Sequence, residues 1–140
     1  MTSRLTETVV DCHDPVRLAD FWCAALGWVV VGTEDDGSVE IGPERVPDVQ
    51  RLADVRAGAV VPTLLLQPVP EGKTAKNRLH LDLSPVDCSQ ADEVERLLGL
   101  GATRADVGQD PSVSWVVLAD PEGNELCVLR SLAVGQFTLP

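Results

Sequence analysis

The chain has 140 residues, of which 22 are acidic and 11 basic, giving a formal net charge of −11 and a pI near 4.4. A chain of this length forms one domain, or two small halves, and buries roughly two-thirds of its unfolded surface without help from a disulfide or structural metal. Its 44% hydrophobic and 24% charged residues are ordinary globular values. They exclude a disordered chain, and the acidity argues against nucleic acid and anionic membrane surfaces as partners. The acidic residues form no tail, since residues 1–70 carry −6 and residues 71–140 carry −5.

Taken in chain order, Leu5 to Cys12 is rich in Thr and Val and predicts a strand. Asp14-Pro15 then supplies an N-cap and a proline suited to the first helical position. Leu18, Phe21, Trp22, Ala25 and Leu26 recur at helical spacing, and Gly27 stops the helix. Trp28 to Gly32 is a short apolar strand, Glu34-Asp35-Asp36-Gly37 a turn, and Ser38 to Ile41 the partner strand. Pro43 to Gly58 has weak periodicity and predicts an excursion loop, followed by the strongly apolar strand Val60 to Gln67 and the connector Pro68 to Asn77.

The pattern then begins again. Arg78 to Ser84 alternates as a strand, and Ser89 with Asp92 and Glu93 opens a helix in the manner of a capping box. Ala91, Val94, Leu97 and Leu98 form its apolar face, and Gly99 and Gly101 end it. Thr103 to Val107 and Ser114 to Ala119 predict strands. Asp120-Pro121-Glu122-Gly123 suits a type I turn, and Leu126 to Arg130 closes a hairpin. The order strand, helix, three strands thus occurs twice. Asp14 and Asp87 mark the two strand-to-helix junctions, and Leu26-Gly27-Trp28 is echoed by Leu100-Gly101-Ala102. A duplicated α+β unit of this kind buries one sheet face under each helix and leaves the other faces for a shared cleft.

No segment approaches 18 uninterrupted apolar residues, and the first residues lack the apolar core of a signal peptide. Cys12, Cys23, Cys88 and Cys127 make no C-x-x-C motif, so reduced thiols and a cytoplasmic location are expected. Nine arginines against two lysines suggest a GC-rich bacterial source.

Asp14-Pro-Val-Arg-Leu-Ala-Asp-Phe-Trp-Cys-Ala-Ala-Leu-Gly-Trp28 resembles the first helix of the vicinal oxygen chelate superfamily. Lys76-Asn-Arg-Leu-His-Leu-Asp-Leu83 and Asp120-Pro-Glu-Gly-Asn-Glu-Leu-Cys-Val-Leu129 resemble its second-module opening strand and final hairpin. The resemblance is to the small bacterial glyoxalase-like and bleomycin-resistance-like branch, and it covers nearly the whole chain. It implies an α+β fold of two βαβββ modules forming curved mixed sheets around a cleft. Residues 1–140 then form a single domain, with modules over 4–70 and 78–131, a connector at 71–77 and a tail at 132–140.

The superfamily includes glyoxalase I, extradiol dioxygenases, fosfomycin-modifying enzymes and bleomycin-sequestering proteins, so fold does not settle chemistry. Its metalloenzymes place four ligands, usually His and Glu, on the first and last strands of both modules. In this chain the corresponding positions are Glu7, Gln67, His80 and Cys127, of which only His80 matches in type. Strand alternation independently sets His80 and Asp82 opposite Leu79, Leu81 and Leu83. It likewise sets Glu125 and Cys127 opposite Leu126 and Val128. A divalent metal, Zn, Mn, Fe or Ni, is one option for this set, although thiolate and amide sit poorly with the harder ions.

The other option is a metal-free pocket of Gln67, His80, Asp82, Trp115 and Cys127. His80 and Glu7 are the candidates for moving a proton; Trp115 either packs in the core, the favoured role, or stacks on a planar ligand. Phe21, Trp22 and Trp28 read as packing residues, and His13 as exposed. Lys73, Lys76 and Arg78 form the one basic cluster, either a solvated connector or an attractor for a carboxylate or phosphate. Two functions follow from the resemblance. One is a metal-assisted lyase, isomerase or dioxygenase acting on a small molecule. The other is a metal-free homodimer that sequesters a small molecule.

Overall fold

A computed structural model describes residues 3–135; the end of the 132–140 tail lies outside the described residues. The chain forms two compact units that divide between Gly72 and Lys73.

In the first unit, β1 (Glu7–Cys12) leads into α1 (Pro15–Leu26), followed by β2 (Val29–Thr33), β3 (Val39–Gly42), α2 (Asp48–Ala57) and β4 (Thr63–Pro68). The Asp14 carboxylate accepts the Arg17 N–H and caps α1, Pro15 occupies the first turn, and Gly27 at φ 68° closes the helix in the left-handed region. Leu18, Ala19, Phe21 and Trp22 are buried, with the last two rings edge-to-face at 5.3 Å. They share this core with Val39, Ile41, Leu64 and Leu66. The sheet order is β1-β4-β3-β2, with β1 parallel to β4 and the other pairs antiparallel.

The second unit repeats this plan with β5 (Leu81–Leu83), α3 (Gln90–Gly99), β6 (Thr103–Arg104), β7 (Val116–Ala119) and β8 (Glu125–Val128). Its sheet order is β5-β8-β7-β6, again with the first and last strands parallel. Ser89 accepts the Asp92 N–H to cap α3, and Val94 and Leu97 pack with Leu118, Leu126 and Val128 in the core. The β7–β8 turn forms as its residues predict. The Gly123 N–H bonds the Asp120 carbonyl, and the buried Asp120 carboxylate accepts the N–H groups of Glu122 and Asn124. The architecture is therefore α+β, with two βαβββ modules of identical sheet order.

Three local expectations are corrected. The predicted excursion loop contains α2, which begins after Pro47 and stops where Gly58 reaches φ 79°. None of its residues is buried, so no apolar stripe announces it. The strand predicted from Arg78 starts only at Leu81, whose partner on β8 is Leu126. Leu79 is consequently 83% exposed rather than aligned with Leu81 and Leu83. Trp115 lies in a bend just before β7 rather than within the strand.

Candidate functional site

The second unit gathers its chemistry on the sheet face turned away from the α3 core. Along β8, Leu126 and Val128 point to the core, which leaves Glu125 and Cys127 on the other face. The parallel pairing sets Asp82 beside Cys127, and the antiparallel pairing sets Val117 on its other side. His80 precedes β5 by one residue and shares the face of Asp82, its Nε2 3.3 Å from Asp82 Oδ1. These residues and Trp115, Lys76, Gln109 and Leu129 line a cavity of about 300 Å³.

The cavity walls are held from behind. Gln90 on α3 donates from Nε2 to the carbonyls of Ser114 and Val128, fixing the bend that carries Trp115 against β8. A turn over Asp106–Gln109 forms the opposite wall: Asp106 accepts the Gly108 N–H, and Gln109 Oε1 accepts the Val107 N–H. Gly108 supplies the φ of 77° that this turn needs.

The donor atoms of His80, Asp82 and Cys127 all lie within 4.8 Å of one another. The cysteine is buried, whereas both other side chains are nearly half exposed. Burial, followed by the neighbouring Asp82 carboxylate, pushes the Cys127 thiol up to about 11. It is therefore protonated at neutral pH unless a cation takes the proton's place. Glu125 behaves differently. Burial raises its carboxyl, but hydrogen bonds from Lys73 Nζ (2.8 Å) and the Asn77 N–H (3.1 Å), with the Lys73 charge, hold it below the usual range.

Metalloenzymes of the superfamily that the sequence resembles hold a divalent ion. A nitrogen, a carboxylate oxygen and a thiol sulfur are all zinc ligands, and three protein ligands with an open fourth position make the usual catalytic zinc arrangement. The three residues fit such an ion. The thiol fits Mn²⁺ or Fe²⁺ less well.

The first unit holds the remaining sequence-predicted residues. Glu7 and Gln67 both lie on the sheet face away from the α1 core, but Glu7 is paired with Thr63 and Gln67 with Asp11. Four residues of strand separate those positions, about 13 Å at the usual rise, so the two side chains do not meet at one ion. On this face Glu40 bonds Arg51 of α2 at 2.7 Å, and Thr63 bonds both.

Of the residues singled out from sequence, Lys76, His80, Asp82, Trp115, Glu125 and Cys127 line one cavity. Gln109, Val107 and Leu129 were missed. Leu129 continues the odd-numbered alternation of Glu125 and Cys127 and was findable in that way, whereas the loop residues carry no periodic signal.

The glyoxalase-like domain family matches residues 7–129. The chain belongs to this family, within the vicinal oxygen chelate superfamily. Solved structures agree in fold. A glyoxalase/bleomycin resistance protein/dioxygenase family enzyme from Burkholderia phytofirmans is 15% identical, with 90% of this chain and 97% of that one covered, at a TM-score of 0.61. The fosfomycin resistance protein FosX from Listeria monocytogenes, solved with Mn(II) and 1S,2S-dihydroxypropylphosphonic acid, is 9% identical, covering 94% and 92%, at 0.63. Glyoxalase I from Leishmania major is 17% identical, covering 92% and 87%, at 0.60. No curated protein matches the chain in sequence.

Proposed function

We propose that this protein is a glyoxalase-like enzyme that takes a small molecule into the second-module cavity beside a zinc-class cation held by His80, Asp82 and Cys127. The observation that carries this reading is the convergence of three donors of zinc-ligand type on the wall of one cavity. When bound, such a cation supplies a Lewis acid that polarises a carbonyl or stabilises an enediolate-like charge. The rest falls to the chain. Trp115, Val117 and Leu129 offer apolar surface to the body of the substrate and exclude water from it. Cys127 surrenders its proton on metal uptake, and Asp82 orients His80.

A second reading is favoured by a specific observation. The Cys127 thiol and the His80–Asp82 contact are already satisfied without an ion. In that case the cavity binds its small molecule metal-free, as a sequestering protein does, with His80 and Asp82 as polar anchors. A homodimer and a cytoplasmic setting belong with either reading.

Metal analysis separates them. The purified protein is loaded with Zn²⁺, Mn²⁺, Fe²⁺ or Ni²⁺, dialysed, and its metal content measured, alongside His80→Ala. Stoichiometric zinc that is lost in the variant supports the enzyme. In the cobalt-loaded protein, a thiolate-to-metal charge-transfer band absent from Cys127→Ala assigns the sulfur. Failure to retain any of the four metals sinks the metal reading, and a ligand-induced rise in melting temperature then identifies the binding protein.

A further inference from the structure

We propose that Lys76 is the cavity's anion-reading arm, so that the small molecule taken there is a compact anion bearing a carboxylate or phosphate-type group. This rests on the second-module cavity being the ligand site. The chain has only two lysines, Lys73 and Lys76, and both lie on the segment leading to β5. That segment is exposed apart from the half-buried Asn77, yet it is anchored. Lys73 Nζ donates to Glu125 Oε1 at 2.8 Å, the Asn77 N–H donates to Glu125 Oε2 at 3.1 Å, and Asn77 Nδ2 donates to Asn124 Oδ1 at 2.9 Å. Asn124 is itself held by the buried Asp120 carboxylate of the β7–β8 turn. The segment is thus pinned to the start of β8 on both sides of Lys76.

The charges divide accordingly. Both oxygens of Glu125 are spent on Lys73 and Asn77, and Asp82 is 3.3 Å from His80 Nε2. Lys76 lines the cavity, and among the described residues no carboxylate pairs with it. Its ammonium makes one long contact, 3.4 Å to the Asn77 carbonyl. An ammonium has three donors and strong hydration, so an ammonium held at a cavity wall with most donors unused is matched by an incoming anion. The lysine is exposed and, among the described residues, pairs with no carboxylate in a protein of net charge −11, where diffuse attraction cannot gather anions and a local cation must do so. Trp115, Val117 and Leu129 leave room for a short carbon skeleton beyond the anionic group.

Calorimetric titration of the intact protein with inorganic phosphate, lactate and propane-1,2-diol tests this, with Trp fluorescence as a second readout from Trp115. The expected result is that phosphate or lactate binds at least about tenfold more tightly than the neutral diol, the size of one charged hydrogen bond. Phosphate alone identifies a phosphate-type ligand, and lactate alone a carboxylate. Lys76→Met abolishes the preference while leaving the melting temperature unchanged, and Lys76→Arg retains it. Equal binding of diol and anions, or undiminished anion binding by Lys76→Met, overturns the role of Lys76 and leaves the cavity as a ligand site. Binding of none of the three overturns both.

Discussion

Cys127 shows how one side chain's surroundings set its chemistry. Its sulfur lies on a buried strand beside a carboxylate, so the thiol titrates near 11 instead of its ordinary 9.0. In the unfolded chain the same thiol loses its proton first, and between those values the native state binds more protons. Stability from this group is therefore full below pH 9 and is lost as pH rises toward 11. Urea midpoints at about pH 8 and about pH 10.5 are expected to fall further for the wild type than for Cys127→Ala. The same protonation makes Cys127 slow to alkylate at neutral pH, and zinc loading is expected to release a proton measurable in weak buffer. Leu126, its fully buried neighbour, has a purely packing role; Leu126→Ala is expected to cost about 2–5 kcal/mol in a denaturant melt.

At the scale of elements, caps and ties matter more than propensity. Removing the hydroxyl that accepts the Asp92 N–H, in Ser89→Ala, is expected to lower stability by about 1 kcal/mol. Helix α2 has no buried residue, and Arg51 ties it to Glu40 and Thr63. Arg51→Ala is expected to speed amide exchange across Asp48–Ala57 while the strands keep their protection, read by exchange mass spectrometry. These elements also show what the sequence makes legible. Helices α1 and α3 announce themselves because each buries an apolar face behind a side-chain cap. Helix α2 does neither, and its residues read as a loop. The alternation that put His80 and Asp82 on one face was legible, but the length of β5 was not, since it depends on pairing with the distant β8. His80, Asp82 and Cys127 could be named from alternation and resemblance. That Asp82 stands beside Cys127, and that Glu7 and Gln67 stand apart, are matters of register between distant strands, which no local pattern carries.

For the whole molecule, the dominant global quantity is charge. Self-repulsion at −11 opposes the compact state, and salt relieves it by shortening the screening length from about 30 Å at 0.01 M to about 8 Å at 0.15 M. The melting temperature is therefore expected to rise across that range of sodium chloride, checked by calorimetry at fixed pH. The gain belongs to both units, because residues 1–72 carry −7 and residues 73–140 carry −4.

The parallel pairing of first and last strands also sets an order of events during synthesis. β1 leaves the ribosome before any strand it can bond, since its register runs against β4, and β5 likewise waits for β8. The antiparallel pairs β2–β3 and β7–β8 join strands close in sequence and close their loops cheaply. Each unit is thus expected to nucleate on its later strands and to accept its opening strand last, with amides of β3 and β4 protected before those of β1 in pulse-labelled refolding. His80 and Asp82 travel with β5, and Cys127 waits on β8. The cluster of His80, Asp82 and Cys127 then comes into being only at the closing step of its unit, so a nascent or half-folded chain lacks the assembled set of three donors.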